Sequence, residues 1–223
     1  MKPSAVLWDM DGTLVDTEPY WMHVETLLVE SYGGTWTHED ALQLVGNGLI
    51  DSALVLQRYG VDMEAQAIVD HLTDAVAHRL RTDGVPFRPG ARELLADLRA
   101  AGIRTALVTM SMRRMAMEVV DLIDFAAFDL VVAGDDVARP KPFPDAYLRA
   151  AELLSVDIAD AVVIEDSPTG IAAGRAAGAV VLGVPHIVSL DDADAHDLWP
   201  TLAGRTATDI IDLHARLAKE VTR

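Results

Sequence analysis

An α/β fold is predicted: a parallel sheet with helices on both faces, carrying a small all-helical insertion. Three observations predict it. Short apolar runs alternate with helix-like stretches, the pattern of strands joined by helical crossovers. That alternation breaks once, over residues 16–83, which read as helix throughout. Polar residues able to do chemistry fall just after the apolar runs, where sheets of this kind bind their ligands.

The elements follow in order. Ala5 to Trp8 is the first apolar run and reads as a buried strand. Helical segments then follow at Pro19–Tyr32, Glu39–Val45, Ile50–Tyr59 and Met63–Arg81, broken at Gly33-Gly34, Gly46-Asn47-Gly48 and Gly60. The stiff segment Val85–Gly90 returns the chain to the alternating pattern, and Pro89 is placed to start the next helix, near Arg92–Ala101. Further strands are predicted at Ile103–Thr109, Leu130–Ala133, Ala161–Ile164 and Ala179–Gly183, and a last amphipathic helix at Ala207–Lys219. The division expected is a core of residues 1–15 and 84–223 and an inserted helical domain of 16–83.

Composition limits the function. With 223 residues, 51% of them hydrophobic, the chain can bury a real core, and with aromatics at only 5% aliphatic side chains and alanine must fill it. A net charge of −17 argues against nucleic acid and against an anionic membrane surface. There is no cysteine, so thiolate chemistry and disulfides are excluded. Met1-Lys2-Pro3-Ser4 leads directly into the first strand, with neither a signal-like segment nor an apolar run of membrane length. A cytoplasmic enzyme is expected.

The chemistry gathers in four places. Asp9 and Asp11 follow the first strand in Asp9-Met10-Asp11-Gly12-Thr13. One carboxylate can attack while the other moves protons, and together they can hold a hard cation. The plainer reading is a capping Asp and an Asp-Gly turn. Thr109 and Ser111 follow the second strand, Lys141 lies in Arg139-Pro140-Lys141-Pro142, and Glu165-Asp166 follows the fourth strand. Singly, Thr109 reads equally as a helix cap, Lys141 as a solvated lysine and Glu165-Asp166 as a charged turn. A parallel sheet would bring all four to one edge. A hydroxyl, a cation and several carboxylates around one point suit a phosphoryl group with magnesium. The histidines, His71 and His78 among them, show no metal-ligand spacing.

With these four motifs the chain resembles the haloacid dehalogenase superfamily over nearly its full length. The resemblance implies a Rossmann-like core, a cap domain inserted after the first motif, and Mg2+ as cofactor. It implies that Asp9 attacks phosphorus to form an aspartyl-phosphate and that Asp11 protonates the leaving oxygen. Mg2+ would be held by the Asp9 carboxylate, the Asp11 backbone carbonyl and Asp166. Glu165 is expected to accept hydrogen bonds behind those ligands, a ligand role through water being the alternative. Thr109 and the backbone near Met10 and Met110 would bind phosphoryl oxygens, and Lys141 would neutralise their charge. Glu18, Tyr20, Trp21, Asn47 and Leu49 are candidates for reading the substrate from the cap, and Ser111, Arg113 and Arg114 from the core.

The chain is similar to the β-phosphoglucomutase and sugar-phosphatase branch, with two departures. That branch's mutases use a cap histidine where Trp21 stands and a cap arginine where Leu49 stands. Losing both polar groups favours a phosphatase of a small phosphorylated metabolite, such as a sugar phosphate. A mutase and a non-catalytic binding protein are the rivals. A monomer is expected, with a dimer as the alternative.

Overall fold

A computed structural model describes residues 2–45 and 47–221 of the chain; Met1 and Gly46, the latter in the loop assigned to the helical insertion, lie outside the described residues. Strand β1 (Ala5–Trp8) is buried along its whole length. Four helices follow before the chain re-enters the sheet: α1 (Glu18–Ser31), α2 (His38–Leu42), α3 (Leu49–Arg58) and α4 (Ala65–Asp83). Then come α5 (Ala91–Ala100), β2 (Arg104–Val108), α6 (Arg113–Asp121), β3 (Leu130–Val132), α7 (Asp145–Leu154), β4 (Ala161–Glu165), α8 (Pro168–Ala177), β5 (Val180–Gly183), β6 (Asp197–Leu198) and α9 (Ala207–Val221).

The six strands are ordered β3-β2-β1-β4-β5-β6, and every pairing is parallel. The apolar runs are continuous because both faces of the sheet are covered, so successive side chains are buried on opposite sides. Val6, Trp8, Leu107, Ile164 and Leu182 pack on one face with residues of α5, α6 and α9. Leu7, Ala106, Val108, Val163 and Val181 pack on the other with α7 and α8. From β1 the chain first builds outward to β2 and β3, then returns to the other side of β1 for β4. That reversal opens a crevice beyond the carboxyl end of β1, the place where open sheets of this kind bind ligands.

Two crossings join α1–α4 to the sheet, and they are paired with each other. Asp16 N–H donates to the Pro86 carbonyl (2.7 Å), Arg88 N–H donates to the Leu14 carbonyl (2.9 Å), and Val15 bridges Phe87. Helix α4 also packs on α6, where Arg114 meets Asp70 and Asp74 and Arg81 meets Glu118.

Three details correct the sequence reading. Pro89 does not begin a helix; Gly90 is the N-cap of α5, and Pro89 lies in the turn before it. The second helix is short, ending at Leu42, and it begins at a capping box between Thr37 and Asp40. Strand β6 was not anticipated, because two residues, Asp197 and Leu198, carry no apolar period. No described helix is long and apolar enough to cross a membrane.

Candidate active site

Asp9 continues β1 past its last residue, its N–H donating to the Ile164 carbonyl of β4 (3.0 Å). The strand therefore delivers the carboxylate to the mouth of the crevice, where it is buried. Lys141 arrives from the loop after β3. Its Nζ donates to Asp9 Oδ1 (2.6 Å), Glu165 Oε1 (2.7 Å) and the Val108 carbonyl (3.1 Å). An ammonium has three protons, and all three are placed. The reading of Lys141 as a solvated lysine does not hold, since only 5% of its side chain is exposed.

Glu165 closes β4 and is fully buried. Besides Lys141, its Oε1 accepts from Tyr147 Oη (2.7 Å), and its Oε2 accepts from Asp166 N–H, Ser167 N–H and Ser167 Oγ. Gly170 makes room for this carboxyl; a Cβ there would lie 1.7 Å from Glu165 Oε1. Asp166 stands at the next position, accepting from Thr13 Oγ1 (3.2 Å). It presses against the turn after β1, where Gly12 has φ +86° and a Cβ would lie 2.0 Å from Asp166 Oδ2. Only glycine meets both conditions.

Asp11 faces elsewhere. Thr17 Oγ1 and Trp21 Nε1 (3.4 Å) donate to its Oδ1, and Ser111 Oγ (2.7 Å) and Thr109 Oγ1 (3.3 Å) donate to its Oδ2. Thr109 does not cap the following helix: the N-cap of α6 is Met112, and Thr109 Oγ1 accepts from Ser111 N–H. Met110 accepts the Lys141 N–H on its Sδ (3.3 Å) and lines the cleft.

Electrostatics follow from this packing. Burial, then the charge of Glu165, pushes Asp9 up to about 7 despite Lys141. Burial and the charges of Asp9 and Glu165 hold Asp166 well above the usual carboxylate range. Burial works against the Lys141 ammonium, but Asp9 and Glu165 outweigh it and hold Lys141 well above its ordinary value. Oxygens of Asp9, Glu165 and Asp166 lie within 4.8 Å of one another. Three buried, mutually repelling carboxylates form an all-oxygen donor set of the kind that suits a hard divalent cation.

Helices α1–α4 close the other side of the cleft. Of the residues singled out from the sequence, Glu18, Trp21, Asn47 and Leu49 line it. Tyr20 does not: its hydroxyl donates to the Gly84 carbonyl (3.3 Å), and it sits a helical step off the face that carries Glu18 and Trp21. Arg113 and Arg114 do not line it either; they bind Asp136 and Asp70. The structure adds Glu25, Ser52 and Ser167 to the cleft, and Thr17 and Tyr147 behind it. Glu25 had a sequence signal, since seven residues separate it from Glu18 on one helix. Tyr147 had none.

This geometry agrees with the comparisons to known proteins. The family model of the haloacid dehalogenase-like hydrolases matches residues 6–184. The chain belongs to that family. It is 35% identical to a phosphorylated carbohydrates phosphatase of Thermotoga maritima over 201 residues, covering 86% of this chain and 88% of that one. It is 32% identical to the bifunctional riboflavin kinase/FMN phosphatase of Arabidopsis thaliana, covering 82% of this chain but only 49% of that protein, about half its length. Among solved structures, a mutant of CbbY from Rhodobacter sphaeroides in complex with xylulose-(1,5)bisphosphate superposes with a TM-score of 0.83 at 26% identity, over 91% of this chain and 96% of that one. The haloacid dehalogenase-like chain described here is thus an enzyme of a hydrolase family whose named relatives include phosphatases.

Proposed function

We propose that this enzyme is a Mg2+-dependent phosphatase of small phosphorylated metabolites, with sugar phosphates as the leading class. The observation that carries the reading is the Asp9–Lys141–Glu165 arrangement beside a separate, differently held Asp11. Asp9 is the nucleophile: its Oδ1 is held by Lys141, which leaves Oδ2 for phosphorus. Asp11 stands apart from the Asp9–Lys141 pair, among hydroxyls and the Trp21 indole, in position to pass a proton to the leaving oxygen and later to take one from water. Thr109 and the backbone at Met10 and Met110 bind phosphoryl oxygens, and Lys141 offsets their charge.

Asp9, Asp166 and the Asp11 backbone carbonyl would hold the Mg2+, which supplies charge neutralisation to the transferring phosphoryl group. Both oxygens of Glu165 are already taken by protein donors, so its part is to hold Lys141 and the turn at Asp166 rather than to ligate. Residues 16–83 act as a cap that covers the leaving group, joined to the core through the paired crossings at Leu14–Asp16 and Pro86–Arg88. The enzyme is proposed to work in the cytoplasm as a monomer, without nucleic acid or membrane.

Trp21 supports a phosphatase over a mutase. Its indole N–H donates to Asp11, and it adds no base or cation to the cap side of the cleft. The test is phosphate release from an aryl phosphate and a panel of sugar phosphates, with Mg2+ or EDTA. Release that requires Mg2+ and falls at least about a thousandfold in Asp9→Asn is expected. Release that survives in Asp9→Asn would overturn the reading, and phosphate returned to sugar rather than freed would make the enzyme a mutase.

A further inference from the structure

Glu25 is a charged residue with no assignment in the chemistry above. It lies on α1 with its side chain among the buried residues, 6% exposed, and it lines the cleft. Its Oε2 is sealed from solvent with no donor within hydrogen-bond distance among the described residues, although the Trp36 indole, whose Nε1 is likewise unpaired, lies near enough to act on the carboxyl. A buried acceptor without a good hydrogen bond carries a desolvation cost that a leucine at this place would avoid. Glu18, Trp21 and Glu25 fall on one face of α1. At helical rise, Glu25 sits about 10 Å along the axis from Glu18, on the order of the length of a short carbon chain.

Beside Trp21, the rest of this wall is mostly aliphatic, with Ala41, Leu44, Leu49 and Leu72, and its other polar side chains, Asn47 and Ser52, are uncharged. Lys141 is the one cation among the described residues lining the cleft, and its three protons are already given to Asp9, Glu165 and Val108. A leaving group with a second negative charge finds no counter-charge here. It meets Glu18 and Glu25 instead. A hydroxyl suits the place, because it can donate to a carboxylate or pair with a protonated carboxyl. Burial pushes Glu25 up to about 7, with the Trp36 indole only partly offsetting it, so both forms are within reach at neutral pH.

We propose that Glu25 selects the leaving group: its carboxyl, at the wall of the cleft, pairs with a hydroxyl of a neutral, hydroxylated carbon chain, and the same carboxyl turns away leaving groups that carry a carboxylate or a second phosphate. The inference rests on the phosphatase reading and names the substrate class within it. A site built around a buried polar group discriminates strongly against ligands that leave that group unpaired.

The experiment measures kcat and KM for sorbitol 6-phosphate, glucosamine 6-phosphate, phosphoglycolate and an aryl phosphate with Mg2+. It compares wild type, Glu25→Leu and Glu25→Gln, each shown folded by thermal melting. Wild type should prefer sorbitol 6-phosphate to phosphoglycolate. In Glu25→Leu, kcat/KM for sorbitol 6-phosphate relative to the aryl phosphate should fall about 10–100-fold, mainly through KM. Glu25→Gln should recover part of that loss and narrow the discrimination against phosphoglycolate. Ratios unchanged within about threefold would show Glu25 to be structural and overturn the proposal, as would a wild-type preference for phosphoglycolate or for the ammonium-bearing glucosamine 6-phosphate. A wild type inactive even on the aryl phosphate would instead remove the phosphatase reading itself.

Discussion

The two sides of the cleft are built differently. At the strand ends, Glu165 accepts from five protein donors and Lys141 spends every proton. On the facing wall of α1, Glu25 keeps an oxygen with no donor within hydrogen-bond distance among the described residues, and Glu18 is pushed up to about 8 by burial and then by the Asp11 charge. A closed network holds the Asp9 carboxylate in one geometry, as positional chemistry needs. An open one leaves polar groups for the substrate to complete. On the proposed reading, catalysis belongs to the satisfied side and selection to the unsatisfied side.

Breaking the satisfied side should have the largest effect. Lys141→Met would leave Asp9 and Glu165 buried without their shared cation. Removing one partner of a buried pair costs about 3–5 kcal/mol. Urea denaturation should show a loss of that order, with activity lost as well. A variant as stable as wild type would mean that the network does not hold the site.

The pH dependence of stability sharpens the comparison next. In the metal-free fold Asp9 and Glu25 keep their protons to about 7 and Glu18 to about 8, while their ordinary values are 3.8 for Asp and 4.5 for Glu. Between those limits the folded chain binds more protons than the unfolded one, so stability falls as pH rises. The carboxyls held below their ordinary value, such as Asp129 and Asp136, act in the opposite sense only in more acidic solution. The Tm in EDTA should therefore drop between about pH 5 and 8. Mg2+ should reverse much of the drop, since it offsets the Asp9 and Asp166 charges, and Glu25→Gln should reverse a smaller part without metal. A Tm that climbs with pH in EDTA would contradict the charge arrangement on both sides.

The smallest effect belongs to the surface between the two regions. Arg114 bridges α6 to Asp70 and Asp74 of α4, half-exposed to solvent. Exposed ion pairs of this kind contribute about 0–1 kcal/mol. Arg114→Ala should change stability by no more than that in a denaturation experiment. A larger loss would show that α4 and α6 are locked together rather than resting on each other.

Much of this molecule was legible before folding. Short continuous apolar runs between turn signals fit strands buried on both faces, and β1, β4 and β5 fall within a residue of where the apolar run places them. Asp9, Thr109 and Glu165-Asp166 stand at the ends of apolar runs, so a parallel sheet gathers them at one edge, while Lys141 comes from the longer loop after β3. The cap face was less legible. Tyr20 and Glu25 occupy the same helix; the spacing puts Glu25 on the face of Glu18, but nothing local in the sequence says which face turns to the cleft. Helix rotation is set by what α1 packs against, and its buried side includes Trp21, Val24, Glu25, Leu28 and Val29.

By itself the sequence determined the sheet, the helical insertion and the four strand-end motifs, because hydrophobic period and residue type act over short distances. Only the tertiary structure decided that Lys141 joins Asp9 to Glu165, that Asp11 is held by Thr17, Trp21 and Ser111, and that Glu25 lines the cleft. Those pairings link residues up to 132 positions apart. Their hydrogen bonds are directional and short-ranged, so they exist only once packing has set every backbone that carries them.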